Sequence, residues 1–550
     1  MSTRARSTHA RVSKTQLSRC SDLPSPKLSN VNAQQLQYEL IVKTHLSPAA
    51  MTTVLPRLPA AAPVSSDLIK LPGDILYEIF SFFRTLSNLG PPEPWQIPAF
   101  DFTFESERPA YEYWWNNRKA EVVSRKTICS LRLTCRAFHD IVTPLLLSEV
   151  RLRLDHESLR KIDAISRNPL IARGVRGLWL TLGYCADELE DYPNFAHARG
   201  VDMGEWADEL NEIAVSKTNT ETSWRIQDAC YEERDTRNAN PGVDDDDGTQ
   251  LAQYRKALRR GYYEFCQIRK MQKDLVESGY FVRELAASIS RLPRFSTLHF
   301  CGNETLPKKF PDNGRFILRS LDDLVAAMAS PFTTTSSLPN LVVDPRELAP
   351  ARLLSELPIA IRDAGASLRH LTVLDFPVQP KNVASLLPQG PTSSAIPEWD
   401  ALNAAFENLE SVIVTGPKVR SSREPIGPDW WSSVKRYLEA VVSGPRLRSI
   451  VINGSPTAWD WYKFDDLYPL NSLLSSITSP RLERLQANKV CFSYRKMKDF
   501  CARLGRDPVD LWLSEAKMLG GSWDGFVKML HRRKGESGIE YEHDVSQVDK

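Results

Sequence analysis

One phrase recurs through the chain and restricts the folds open to it. It is a short apolar run entered through a proline or a small turn and closed by glycine, asparagine or another polar residue. It stands at "GVRGLWLTLG" (174–183), "LPRFSTLHFCGN" (292–303), "LPNLVVD" (338–344) and "SLRHLTVLDF" (367–376). It returns at "NLESVIVTG" (408–416), "GPRLRSIVING" (444–454) and "SPRLERLQANKV" (479–490). The shared core is Leu-x-x-Leu-x-Leu or a close substitute, and its alternation sends one set of side chains inward and the other outward, as a half-buried strand requires. Pro293, Pro339, Pro445 and Pro480 fall at matching offsets, which argues against a chance echo in a leucine-rich chain. Helical stretches lie between the runs: "FVRELAASISRL" (281–292), Leu321 to Met328, and "WWSSVKRYLEAVV" (430–442). One strand–helix unit cannot bury its apolar face alone, so the units have to stack.

A strand, a turn and a helix repeated at uneven spacing resembles a degenerate leucine-rich repeat. The fold class expected is therefore α/β, with an irregular leucine-rich-repeat-like solenoid over 156–535. A compact α/β domain with a parallel sheet would give the same alternation. At 550 residues the chain exceeds one ordinary core, which fits either several domains or one elongated array.

The stretch "LPGDILYEIFSFF" (71–83) asks for a different neighbour. Pro72 sits at a helix start, where its fixed φ helps and its missing N–H costs nothing, and Asp74 favours the positive end of the helix. Ile75, Leu76, Ile79, Phe80 and Phe83 form a stripe two residues wide, broadened by Phe82, more than a single contact uses. One edge suits an internal core and the other a partner. Over 127–142, "TICSLRLTCRAFHDIV", the residues Leu131, Cys135, Phe138 and Val142 recur at helical spacing and predict one second helix. Thr143-Pro144 then predicts a third short helix through "PLLLSEV".

Leu-Pro-x-Asp-Ile-x-x-x-Ile, then Leu-x-x-x-Cys-Arg-x-Phe, then Pro-Leu-Leu, resembles the F-box, in the wording of fungal members. The resemblance places Leu71, Pro72, Ile75, Leu76, Ile79, Cys135 and Phe138 at motif positions. It implies that they build a small core and a face that docks on the Skp-type adaptor of SCF ubiquitin ligases. Phe138 stands where the family often has tryptophan, and Thr134 where it often has valine. The larger departure is residues 84–126, an aromatic and acidic insert where the family has a short loop. The expected organisation is a leader over 1–66, the F-box over 67–155 with its insert, the array over 156–535 with a loop near 234–250, and a polar tail over 536–550.

The leader is rich in Arg, Ser, Thr, Ala and Pro and has no continuous apolar core, so it does not read as a secretory signal. Disorder or a transit peptide fits it. The nine cysteines are scattered without a CxxC pair, which points to reduced thiols and a cytoplasmic or nuclear protein. No apolar run is long enough to span a membrane. A net charge of +2 gives no global attraction to nucleic acid. The best local basic stretch, "RRGYYEFCQIRK" (259–270), has the spacing of a solvated helix. Asp244 to Asp247 are adjacent rather than alternating and lack the spacing of a calcium loop.

Chemistry-bearing motifs are missing too. There is no phosphate-binding glycine loop and no HExxH, and "GGSWDG" has Asp524 where a nucleophile elbow needs glycine. His139, His299 and His370 lie in apolar segments and are expected to be buried and hydrogen-bonded. No catalytic residue, metal or cofactor is expected. The reading that follows is a substrate receptor that meets a cullin and a RING subunit through the adaptor and holds an unknown target protein on its array. The alternative is a non-catalytic repeat scaffold acting outside any ligase.

Overall fold

In a computed structural model of the protein, the chain divides into Met1–Lys70 and Leu71–Lys550. The structure describes residues 72–85, 126–183, 185, 187–212, 217–239, 249–301, 321–330, 349–374, 386, 399–415, 428–454, 468–504, 509–514 and 516–534. The strand read at 338–344 and most of the 84–126 insert lie outside them, as do the leader and the tail.

The second unit is mixed α/β and is built on a parallel sheet. Its eight strands are β1 (Glu149–Arg153), β2 (Gly177–Thr181), β3 (Thr297–Cys301), β4 (His370–Leu374), β5 (Ser411–Thr415), β6 (Ser449–Asn453), β8 (Arg484–Asn488) and β10 (Asp510–Ser514). They lie side by side in chain order, every neighbouring pair parallel. A smaller parallel sheet joins β7 (Tyr468–Pro469), β9 (Val490–Ser493) and β11 (Lys517–Leu519).

The register explains the recurring phrase. Val150, Leu178, Leu298, Leu371, Val412, Ile450, Leu485 and Leu511 are paired across successive strands and form one buried row. Leu152, Leu180, Phe300, Val373, Val414, Ile452 and Ala487 form a second buried row two residues on. The entry residues Val175, Phe295, Leu368, Leu409, Leu447 and Leu482 are buried as well. Each Leu-x-x-Leu-x-Leu therefore supplies one rung to a shared core, and each buried aliphatic or aromatic side chain contributes roughly 1.5–3 kcal/mol.

Helices form a second row. α4 (His156–Arg167), α9 (Tyr280–Ile289), α11 (Ala349–Asp363), α12 (Trp399–Ala405), α13 (Pro428–Val442), α14 (Asn471–Ser476) and α15 (Tyr494–Arg503) pack against one another in the order of the strands they follow. Asp155 caps α4, its Oδ1 accepting the Ser158 N–H at 2.6 Å, and the one-turn α5 (Pro169–Ala172) follows it. α16 (Trp523–Lys534) sends Phe526 and Leu530 into the same core.

Between β2 and β3 the chain builds a helical annex with its own core. It comprises α6 (Tyr192–Glu212), α7 (Lys217–Ala239) and α8 (Gln250–Glu277), with α10 (Leu321–Ala329) packed on α8. Here Glu233 is buried, but it accepts from Arg259 Nε at 2.7 Å and from the Tyr192 hydroxyl at 3.1 Å. The loop expected near 234–250 is helical as far as Ala239, because Glu233 and its partners continue the packed face.

The N-terminal helices are α1 (Gly73–Thr85), α2 (126–132) and α3 (Arg136–Val142). Three expectations need correction. The single helix read over 127–142 is broken at Leu133–Thr134. Thr134 Oγ1 donates to the Leu131 carbonyl at 2.7 Å, and an extended Cys135 caps α3, its Sγ accepting the Phe138 N–H at 3.5 Å. Both bonds end one helix and begin another, which helical spacing alone does not reveal. The third helix is one 3₁₀ turn, Thr143–Leu145, and Glu149 already lies in β1. The sheet thus begins before the boundary expected at 155, because "EVRLR" alternates and finds β2 to pair with.

Candidate docking surfaces

The three N-terminal helices share a small core of Leu76, Phe80, Ile128, Phe138, Val142 and Leu145. Phe80 meets Phe138 edge to face, with ring centroids 4.9 Å apart. The stripe of α1 is divided between two environments. Leu76 is 2% exposed and faces the core, whereas Ile75 is 45% exposed and Ile79 38%. Ile75 and Ile79 are one turn apart, so they form a continuous apolar edge. Leu133, at the break between α2 and α3, is also exposed.

Among the sequence-predicted site residues, Leu76 and Phe138 are buried in this core and Cys135 packs against it half-buried. Pro72 is exposed, and its carbonyl accepts the Leu76 N–H at 3.0 Å. Ile75 and Ile79 carry the free edge, and Leu71 lies outside the described residues. The trio is fastened to the array at Gly174, where a side-chain Cβ would fall 1.7 Å from the Pro144 carbonyl oxygen. Arg294 Nη1 also donates to the Tyr77 hydroxyl at 3.5 Å.

The sheet face opposite the core rows carries a rung running Arg151, Trp179, His299, Thr372, Ile413, Val451, Gln486 and Trp512. Trp179 and His299 stack at 4.0 Å with their planes 12° apart, and Trp179 Nε1 donates to Glu149 Oε2 at 2.5 Å. His299 is buried, at 5% exposure, but among the described residues neither ring nitrogen has a hydrogen-bond partner. Its Nε2 lies 3.9 Å from Glu149 Oε1, beyond hydrogen-bond reach. Burial, with a smaller contribution from the charge of His370, brings its pKa down to about 3 and keeps the ring neutral. The expectation of a hydrogen-bonded imidazole fails here, because stacking on Trp179 occupies the ring face without satisfying its edge. His139 is not buried, and its Nδ1 lies 3.0 Å from Asp140 Oδ1.

At the N-terminal ends of the strands, charges alternate along the rim. Arg369 pairs with Glu410 at 3.6 Å and Arg448 with Glu483 at 2.5 Å. A cleft of about 560 Å³ opens among Glu410, Arg446, Arg448, Arg481 and Glu483. Neither the stacked ring pair nor this cleft was singled out from sequence. The available signals were the outward residue between two core rows and the repeated Pro-Arg at 293–294, 445–446 and 480–481.

Burial raises the Cys185 thiol to about 12, so it is no nucleophile at neutral pH. Among the described residues no group of three His, Cys, Asp or Glu side chains could hold a metal, and no helix is long and apolar enough to cross a membrane. No protein-family model matches the chain, and no curated protein is significantly similar to it.

Proposed function

We propose that the protein is a substrate receptor of an SCF-type ubiquitin ligase. In this reading the N-terminal trio is an F-box that docks on a Skp-type adaptor, which bridges to a cullin and its RING subunit. The strand–helix array is a degenerate leucine-rich-repeat solenoid that holds a target protein. The receptor performs no bond chemistry of its own. It raises the target's effective concentration near a charged conjugating enzyme, turning an encounter in solution into a tethered one.

The observation that carries the reading is the divided stripe of α1. Leu76 and Phe80 complete the internal core, which leaves Ile75 and Ile79 as a half-exposed apolar edge on a short, packed helix. Such an edge gains about 25 cal/mol for each Å² of apolar surface that a partner covers. Further support comes from Leu-x-x-Leu-x-Leu rungs that stack in chain order, since an array of that kind offers a long surface for a protein partner.

The test is co-purification of the adaptor with the full chain. Ile75→Asp with Ile79→Asp places two charges on the outer edge and leaves the internal core intact, so adaptor recovery falls by at least about 100-fold while the far-UV spectrum stays unchanged. Undiminished recovery from a folded double variant defeats the docking assignment. A non-catalytic scaffold would keep its partners yet bring down no cullin, and no polyubiquitin would accumulate on a co-bound protein.

A further inference from the structure

We propose that the rim cleft between the turns entering β6 and β8 binds a single anionic group, a phosphoryl or a carboxylate, presented by a polypeptide segment. Three arginines occupy the same offset in their repeat units: Arg294, Arg446 and Arg481, each following a proline. Arg294 is used internally, on Tyr77. Arg446 and Arg481 are exposed and line the cleft, and among the described residues neither side chain forms an ion pair or a hydrogen bond. The neighbouring Arg448 differs, being held by Glu483 through Nε at 2.8 Å and Nη2 at 2.5 Å.

The two arginine-bearing turns are fixed to one another before any ligand arrives. Ser479 is buried, and its Oγ donates to the Leu447 carbonyl at 2.6 Å while accepting the Arg481 N–H at 3.3 Å. Thr478 Oγ1 donates to the Ser443 carbonyl at 3.3 Å. Gly444 lets the first turn approach the segment between α12 and β5, since a Cβ there would sit 2.9 Å from the Phe406 carbonyl. Cross-tied turns hold the backbones of the two arginines side by side in advance, so two guanidiniums reach one anion and only side-chain rotamers remain to be ordered on binding.

Charge around the cleft decides what carries the anion. Glu410 and Glu483 flank the arginines, so a continuous polyanion such as a nucleic-acid strand would set further phosphates against carboxylates. An isolated anion avoids them. That its carrier is a polypeptide rests on the receptor reading; the anion site does not.

The experiment titrates the full chain into inorganic phosphate and follows the phosphorus NMR line. Binding is expected to broaden the line, and Arg446→Gln with Arg481→Gln to weaken binding at least about tenfold. No broadening, or equal broadening with the double variant, overturns the site. Displacement of phosphate by acetate at a similar concentration assigns the subsite to carboxylates, and failure of acetate assigns it to phosphoryl groups; both outcomes support it. Tight, Arg446-dependent binding of a DNA duplex overturns the isolated-anion assignment. A short uncharged peptide with one phosphoserine should displace phosphate at lower concentration than phosphoserine itself, and equal potency overturns the polypeptide carrier. Because Ile75→Asp with Ile79→Asp leaves the cleft untouched, loss of adaptor docking and loss of anion binding are read separately.

Discussion

Leu76 and Phe80 of α1 face inward while Ile75 and Ile79, one position earlier, remain at the surface; the core rows of the sheet from Val150 to Leu511 show no such division. Rung by rung the array closes its apolar surface on itself, each strand supplying a row and each helix covering it. The helical trio closes only six residues into its core. In the array the exposed large apolar side chains, Tyr280 and Leu519, stand singly, whereas on α1 two isoleucines stand one turn apart. The contrast makes the exposed edge informative, since single exposed apolar residues are otherwise ordinary.

The seam between the two regions is where the comparison breaks most sharply. Gly174 lies against Pro144, and an alanine methyl would overlap the Pro144 carbonyl oxygen at 1.7 Å, which is backbone and cannot rotate away. Gly174→Ala is expected to lower stability by about 3 kcal/mol, with the helical trio displaced from the first strands. Urea unfolding measures the loss, and hydrogen exchange locates it. Exchange that rises in 136–145 while β4–β6 stay protected is the expected pattern. Uniform loss across both regions would show that trio and array fold as one cooperative unit.

How far these regions could be read from sequence follows the same division. The array was legible because its burial is local and periodic: Leu447, Ile450 and Ile452 announce a strand without knowledge of its neighbours. The width of the α1 stripe was legible for a similar reason, but helical spacing did not reveal that Leu76 turns inward and Ile75 outward. β1 was not legible, because Leu145, Leu146 and Leu147 extend an apolar run that masks the alternation of "EVRLR" until β2 is there to pair with it. Helix α7 carries Glu233 at a buried position, and an acid shows as a core residue only once Arg259 from α8 is placed beside it. The Trp179–His299 stack and the Arg446–Arg481 cleft depend on which strands are neighbours, information that a linear chain does not display.

On the sheet itself, acid separates the core rows from the opposite face. The core rows contain no titratable group, whereas His299 lies on the other side with its pKa brought down to about 3 by burial. The unfolded chain takes up that proton near the ordinary value of 6.5, so proton uptake favours unfolding throughout the interval between. Stability contributed by the neutral ring is complete above pH 6.5 and is lost as pH falls toward 3, at about 1.4 kcal/mol per unit. Near pH 5 the loss reaches about 2 kcal/mol. Glu149 and His370 lie close by, so the wild-type chain is compared with His299→Leu by urea unfolding at pH 7 and pH 5. A smaller decline in the variant is expected, and parallel declines would assign the acid sensitivity elsewhere.

The smallest effect distinguishes the capping of the two regions. Asp155 caps α4 with a charged oxygen 2.6 Å from the Ser158 N–H, while Cys135 caps α3 with a sulfur 3.5 Å from the Phe138 N–H. An ionised oxygen at an N-cap satisfies a free N–H and also meets the positive end of the helix; a neutral thiol does the first weakly and the second not at all. Asp155→Ala is therefore expected to cost about 1 kcal/mol in thermal or urea unfolding, and Asp155→Asn less than half of that. An asparagine variant as unstable as alanine would mean that charge near α4, rather than the hydrogen bond to Ser158, holds the first helix of the array.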